Sequence, residues 1–210
     1  MSKTQLEIEL KARVADPATL AARLEARFGA PVEIHKLDEY RCEPGADPAT
    51  CSQSTARIVR LRRSNDAVEL TTKSKTMEDG VEVSRETELA LQGEAAEALE
   101  AARSFLDAIG YQVYLRKEKH SRVFQDAEGG GPCFELNTVT GLGVFIEIEA
   151  LVPADASPEL IRATRERVRR ELTGLGLGAA DIEERSYTQM LREAGIAGGV
   201  TKTGAEGQGG

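Results

Sequence analysis

Apolar and charged positions alternate with a period of two residues in segment after segment of this chain. Residues 6–14 place Glu7, Glu9, Lys11 and Arg13 on one face and Leu6, Ile8, Leu10, Ala12 and Val14 on the other, as an extended strand does. Residues 57–63 bring Arg60 and Arg62 together opposite Val59 and Leu61. Residues 67–73 set Glu69, Thr71 and Lys73 against Val68, Leu70 and Thr72. In 81–91 the polar face is Glu82, Ser84, Glu86 and Glu88, and in 113–119 it holds Lys117 and Lys119. In 144–152, Glu147 and Glu149 oppose Val144, Ile146, Ile148 and Val152. Segments 34–41 and 133–139 complete a set of about eight strands. Most connections leave no room for a helical crossover, which predicts antiparallel pairing.

Four segments predict helices, making the class α+β. Pro17 to Phe28 follows Asp16 as N-cap, has proline in its first turn and stops before Gly29. Gly93 to Ile109, Ser157-Pro158 to about Thr173, and Asp181 to about Ala194 are the others. Turn residues mark loops at Glu43–Pro48 and Gly129–Pro132. The glycine-rich stretch 195–210 reads as a disordered tail, leaving one domain over 1–194.

The polar faces are sorted by charge: Glu-x-Glu-x-Lys, Arg-x-Arg, Glu-x-Glu, Lys-x-Lys, and Glu-x-Glu again. An ordinary half-buried sheet would turn them to water. A sheet closed into a barrel would turn them inward, with the helices packed against an apolar outside. The lumen would then collect Lys11, Arg60, Arg62, Lys73, Lys117 and Lys119 together with Glu7, Glu9, Glu86, Glu88, Glu147 and Glu149. Eight strands leave space for one small ligand. Buried charge must be paired or metal-bound. Carboxylate oxygens suit Mg²⁺ and Mn²⁺, and Arg and Lys hold phosphate oxygens. The inventory therefore suits a polyanion accompanied by divalent cations.

Composition narrows the partners. The 210 residues carry a formal net charge of −8, which argues against nucleic acid. No apolar run approaches the ~18 residues of a membrane span, and the N-terminus has no signal-peptide core. No membrane partner and a cytoplasmic location are expected. Cys42, Cys51 and Cys133 are irregularly spaced, as reduced thiols would be. His35 and His120 have no cysteine or histidine at ligand spacing, so neither a zinc site nor a Ser-His-Asp triad is expected.

Seven short motifs succeed one another: Glu7-Ile8-Glu9-Leu10-Lys11, Leu37-Asp38-Glu39-Tyr40, Val59-Arg60-Leu61-Arg62, Leu70-Thr71-Thr72-Lys73, Glu86-Thr87-Glu88, Gly141-Leu142-Gly143-Val144-Phe145-Ile146-Glu147-Ile148-Glu149, and Ser186-Tyr187-Thr188-Gln189-Met190-Leu191. In this order, over residues 5–192, they resemble the CYTH superfamily, the triphosphate tunnel metalloenzymes. The resemblance implies a closed eight-stranded antiparallel tunnel. It implies Mg²⁺ or Mn²⁺ on Glu7, Glu9 and Glu147 with Glu149 close by, and a triphosphate gripped by Lys11, Arg60, Arg62, Lys73, Lys117 and Lys119. It further implies that Tyr40 and Lys73 orient or activate water, Lys73 as a general base whose pKa is depressed by neighbouring cations. Glu86 and Glu88 would position cations, and Tyr187 would be structural, near the barrel mouth.

The chain departs from the family pattern in places. Lys119 stands where an arginine is usual, and Asn137 where an aspartate is common, which weakens a metal or supporting position. Ser84 takes an arginine position, and Arg85 points to the opposite face. Arg122 stands three residues beyond Lys119 as a candidate replacement cation. The expected activity is hydrolysis of tripolyphosphate, a nucleoside triphosphate such as ATP, or thiamine triphosphate. A class IV adenylate cyclase and a non-catalytic polyphosphate or nucleotide binder are the alternatives. The oligomeric state stays open, a homodimer being one option.

Overall fold

A computed structural model describes residues 5–51, 56–126 and 130–196. Eight antiparallel strands close into a barrel in the order β1-β5-β4-β3-β2-β6-β7-β8. They are β1 (Gln5–Arg13), β2 (Val32–Cys42), β3 (Ile58–Ser64), β4 (Ala67–Glu78), β5 (Val81–Leu91), β6 (Gln112–Phe124), β7 (Cys133–Val139) and β8 (Gly143–Pro153). The helices are α1 (Pro17–Phe28), α2 (Ala95–Ala108), α3 (Pro158–Gly174) and α4 (Tyr187–Glu193). The expected tail falls, from residue 197 onward, outside the described residues. Among the described residues no helix is long and apolar enough to cross a membrane.

The apolar faces point outward, away from the lumen. Ile8, Leu10, Phe134, Ile146 and Ile148 pack under α1 and α3, which contribute Leu20, Leu24, Val168 and Leu172. Leu61 and Val68 pack under Ala95, Ala98, Ala102 and Leu106 of α2. Each large apolar side chain removed from water contributes roughly 1.5–3 kcal/mol. The hydrophobic core is thus mainly a sleeve around the barrel, with a smaller apolar cluster of Val139, Phe145, Tyr187 and Met190 at one end of the inward face.

Turn chemistry sets the register. Asp79 and Gly80 have φ of +50° and +77° and join β4 to β5 as a two-residue hairpin loop. That pairing places Lys73 opposite Glu86 and Lys75 opposite Ser84. A one-residue slip of β5 would turn Glu86 and Ser84 to the other face.

The C-terminal helix differs from its expected span. Residues 181–194 are not one helix: a 3-10 turn at Ala179–Asp181 is followed by extended chain, and α4 begins at Tyr187. Ile182 bridges to Ala12 of β1, and the Glu183 amide donates to the Lys11 carbonyl at 2.9 Å. These sheet bonds hold the segment extended until Ser186, whose Oγ caps α4 by accepting from the Gln189 amide at 3.2 Å. Helix α4 then lies across one barrel end. Tyr187 and Met190 pack on Val139 and Phe145, and Leu191 packs beside Tyr40 and Leu115.

Candidate functional site

The inward faces line a cavity of about 340 Å³. Its walls carry eight cations (Lys11, Lys36, Arg60, Arg62, Lys73, Lys75, Lys117, Lys119) and eight carboxylates (Glu7, Glu9, Glu82, Glu86, Glu88, Glu135, Glu147, Glu149). Every cation and carboxylate of the twelve expected in a lumen is among them. Lys36, Lys75, Glu82 and Glu135 are additions, and Asp38 lies behind them with its side chain 0% exposed.

Strand order gives the lumen two unlike walls. Strands β5, β1 and β8 are adjacent and carry Glu82, Glu9 and Glu149 in one cross-strand row. Like charges directly opposite one another repel. Strands β3, β2 and β6 face them across the barrel and carry Arg60, Arg62, Lys36, Lys117 and Lys119.

The acidic wall is under electrostatic stress. Burial pushes Glu7 and Glu9 up to about 8 and Glu149 up to about 7, with neighbouring carboxylates adding to the rise. Among the described residues, Glu9 and Glu149 form no ion pair, while Glu7 meets Lys73 at 3.5 Å and the Ser84 hydroxyl at 3.3 Å. No trio of described carboxylates has drawn its oxygens within 4.8 Å of one another. Glu147 is different. Burial raises its pKa, but Lys119 at 2.9 Å and Lys11 outweigh this and hold it well below the usual range. Asn137 Nδ2 also donates to Glu147, at 2.7 Å, and Asn137 Oδ1 accepts from Ser121 Oγ at 2.6 Å.

The basic wall is organised by buried acids. Asp38 accepts from Arg62 at 2.7 and 2.9 Å, from Lys117 at 2.9 Å and from the Tyr40 hydroxyl at 3.2 Å. Tyr40 in turn accepts from Lys117 Nζ at 2.9 Å. Glu135 takes Lys36 at 2.7 Å and Lys119 at 3.2 Å, which offsets the direct opposition of those two lysines. Arg60 donates to Thr71 Oγ1 at 3.0 Å and reaches Glu86 at 3.4 Å. Glu86 therefore steadies cations, while Glu88 lies at the exposed rim.

Two expectations are corrected. Arg122 does not enter the lumen. It follows Ser121 on β6, so alternation turns it outward, where it pairs with Glu25 of α1 and lies over the Phe124 ring. Lys73 is not a lysine crowded by cations. Its Nζ lies 2.8 Å from both Glu82 and Glu86. Burial lowers its pKa, but Glu9, Glu7, Glu82 and Glu86 raise it well above the ordinary value, so Lys73 keeps its proton. The lumen lysines whose pKa does fall are Lys11 and Lys36, chiefly through burial.

Tyr187, expected only to be structural, lines the cavity. Lys11, Lys117 and Lys119 lie 4.8, 5.1 and 5.8 Å from its ring centroid. Its buried hydroxyl has no hydrogen-bond partner among the described residues. Burial and the nearby Glu147 and Glu9 push that phenol well above its ordinary pKa.

The donor set fits divalent cations. An oxygen-only row of buried carboxylates with raised pKa is what a hard ion would relieve.

Among solved structures, the fold is similar to the PH1819 protein of Pyrococcus horikoshii OT3, at 26% identity and TM-score 0.72, covering 89% of this chain and 98% of that one. It is similar to a candidate adenylate cyclase of Vibrio parahaemolyticus, at 22% identity and TM-score 0.70, covering 90% and 98%. A candidate adenylyl cyclase from Hippeastrum, described with a dominant triphosphatase activity, matches at 19% identity and TM-score 0.58, covering 90% and 95%. No curated protein matches the chain. A family model for the CYTH domain matches residues 5–187, and with that span covered the chain belongs to the CYTH family.

Proposed function

We propose that the protein is a metal-dependent triphosphatase acting on a small triphosphate in the lumen. The observation that carries this reading is the division of one cavity into an acidic wall and a facing basic wall. A linear polyanion can lie along the basic wall while divalent cations neutralise it from the acidic wall.

Glu7, Glu9 and Glu149 are the residues to hold Mg²⁺ or Mn²⁺, with Glu147 beside them already fixed by Lys119 and Asn137. Bound there, such an ion supplies charge neutralisation at phosphoryl oxygens during in-line displacement. Arg60, Arg62, Lys117 and Lys119 bind phosphate oxygens, and Asp38 and Glu135 hold three of these four at fixed positions before substrate arrives. Lys11 bears on the same space from β1. Lys73, paired with Glu82 and Glu86 and with its pKa raised, is suited to hold phosphate or orient water rather than to act as a base. The Tyr40 hydroxyl, fixed between Lys117 and Asp38, offers a second water-orienting group.

The cavity wall offers Tyr40 and Tyr187 as its aromatic residues, which favours a substrate without a base to stack. Phosphorus NMR of purified protein with tripolyphosphate, ATP or thiamine triphosphate, plus Mg²⁺ or Mn²⁺, tests the proposal. Orthophosphate is the expected product. Pyrophosphate with cyclic AMP would make the protein a cyclase, and binding without turnover would make it a carrier.

A further inference from the structure

The outer face of the barrel holds a cluster that the lumen chemistry leaves unused. His35 on β2 and His120 on β6 are direct cross-strand partners, and they are the chain's two histidines. Their rings stack with centroids 4.3 Å apart and planes within 4°. Glu118, two residues before His120 and so on the same face, places Oε1 2.8 Å from His35 Nε2 and 3.8 Å from His120 Nε2. One ligand atom from each of the three lies within 4.8 Å of the other two. Spacing along the chain concealed this, because the second histidine arrives from another strand.

We propose that His35, Glu118 and His120 form a surface site for a borderline divalent transition-metal ion of the Zn²⁺ class, separate from the lumen.

A tetrahedral ion with bonds of about 2.0–2.1 Å needs ligand atoms roughly 3.3 Å apart. The two nitrogen–oxygen distances, 2.8 and 3.8 Å, straddle that spacing, and because an imidazole binds an ion in its ring plane, the exposed His120 ring turns out of the stack to share it. The frame is already held. The His35 amide donates to Asn65 Oδ1 at 2.9 Å, and the His35 carbonyl accepts from the Asn65 amide at 3.0 Å, so the β3–β4 turn fixes this stretch of β2. The Thr140 amide donates to the Glu118 carbonyl at 3.1 Å. Thr140 Oγ1 donates to Glu118 Oε2 at 3.4 Å, orienting the carboxylate and leaving Oε1 to the imidazoles. Side-chain exposures of 40%, 41% and 63% for His35, Glu118 and His120 give an entry path and room for a water as fourth ligand. Imidazole nitrogens favour Zn²⁺, Ni²⁺ or Cu²⁺ over Mg²⁺, so the two sites would sort metals by ligand type.

The test uses the full untagged chain with Mg²⁺ in large excess to occupy the lumen. Zn²⁺ is titrated in while ring nitrogens are followed by long-range proton–nitrogen correlation NMR, where two histidines give two ring patterns. Both rings are expected to shift together and saturate at one equivalent. His120→Ala, at an exposed position, should weaken that binding at least about tenfold by removing one of three ligands, with Mg²⁺-dependent turnover unchanged. Glu118→Gln should weaken it too. Rings that stay put, or Zn²⁺ binding equally tight in His120→Ala, would overturn the proposal.

Discussion

Loading the lumen with a divalent cation should expel protons, and the number can be worked from the acidic wall. Glu7 and Glu9 are pushed up to about 8 and Glu149 to about 7. At pH 7 the first two are each roughly nine-tenths protonated and the third about half, so the trio carries on the order of two protons. A cation binding these oxygens needs them ionised. Its apparent affinity should therefore rise roughly 500-fold between pH 6 and 7 and level off above about pH 9. Titration calorimetry with Mn²⁺ in buffers of different ionisation enthalpy measures the proton release directly. The same groups fix a stability trend. Their folded pKa values lie above the ordinary 4.5, so in the metal-free protein the native state binds more protons than the unfolded chain. That stability is fully present below 4.5 and is lost as pH rises toward about 8. Saturating metal should flatten the trend. Binding heats independent of buffer at pH 7, or metal affinity flat from pH 6 to 8, would refute the assignment of the acidic wall to metal.

Further outcomes follow from single contacts. Glu9→Gln should cut metal-dependent turnover by at least about a hundredfold while raising the melting temperature of the metal-free protein at pH 8, because a strained buried carboxylate is gone; near-normal turnover would sink the metal role. Lys73→Arg should keep activity within about tenfold, since arginine also holds its proton; loss of all turnover, with the fold and substrate binding kept, would restore the general-base reading. Asp38→Asn leaves Arg62 and Lys117 without their buried counter-charge and should cost about 3–5 kcal/mol in urea unfolding, a loss below about 1 kcal/mol counting against it. Ile148→Ala opens the outer sleeve where the side chain is 0% exposed and should cost about 2–5 kcal/mol in the same assay, without altering the lumen.

Strand alternation made much of this readable beforehand. Glu7, Glu9 and Lys11 alternate with wholly apolar neighbours, so their face is unambiguous once the barrel closes. On β2 both faces are charged. Lys36, Asp38 and Tyr40 point inward, while Glu39 and Arg41 are buried outside and pair with Arg103 and Asp107 of α2. No hydrophobic period distinguishes the two sides there, so alternation does not assign Lys36 and Asp38 to the lumen. Lys75 is hidden in the sequence because β4 runs on to Glu78 through Ser74, Thr76 and Met77, a stretch too polar to announce a strand. The state of Lys73 depends on register. Composition alone cannot tell that the Asp79-Gly80 turn sets Glu86 directly across from it. His35 and His120 meet for the same reason, through a strand pairing that no local spacing encodes.

Closure of the barrel also separates two kinds of evolutionary freedom. In most small domains the interior is the packing core, and a new binding residue there is bought with a cavity or a buried unpaired charge. Here the backbone groups are consumed by a cyclic ladder, and the apolar load is borne outside it. Inward side chains answer chiefly to one another and to the bound anion. Substrate choice can therefore drift by exchanging charged pairs across the lumen, while the sleeve of Ile8, Leu10, Ile146 and Ile148 keeps the same shape.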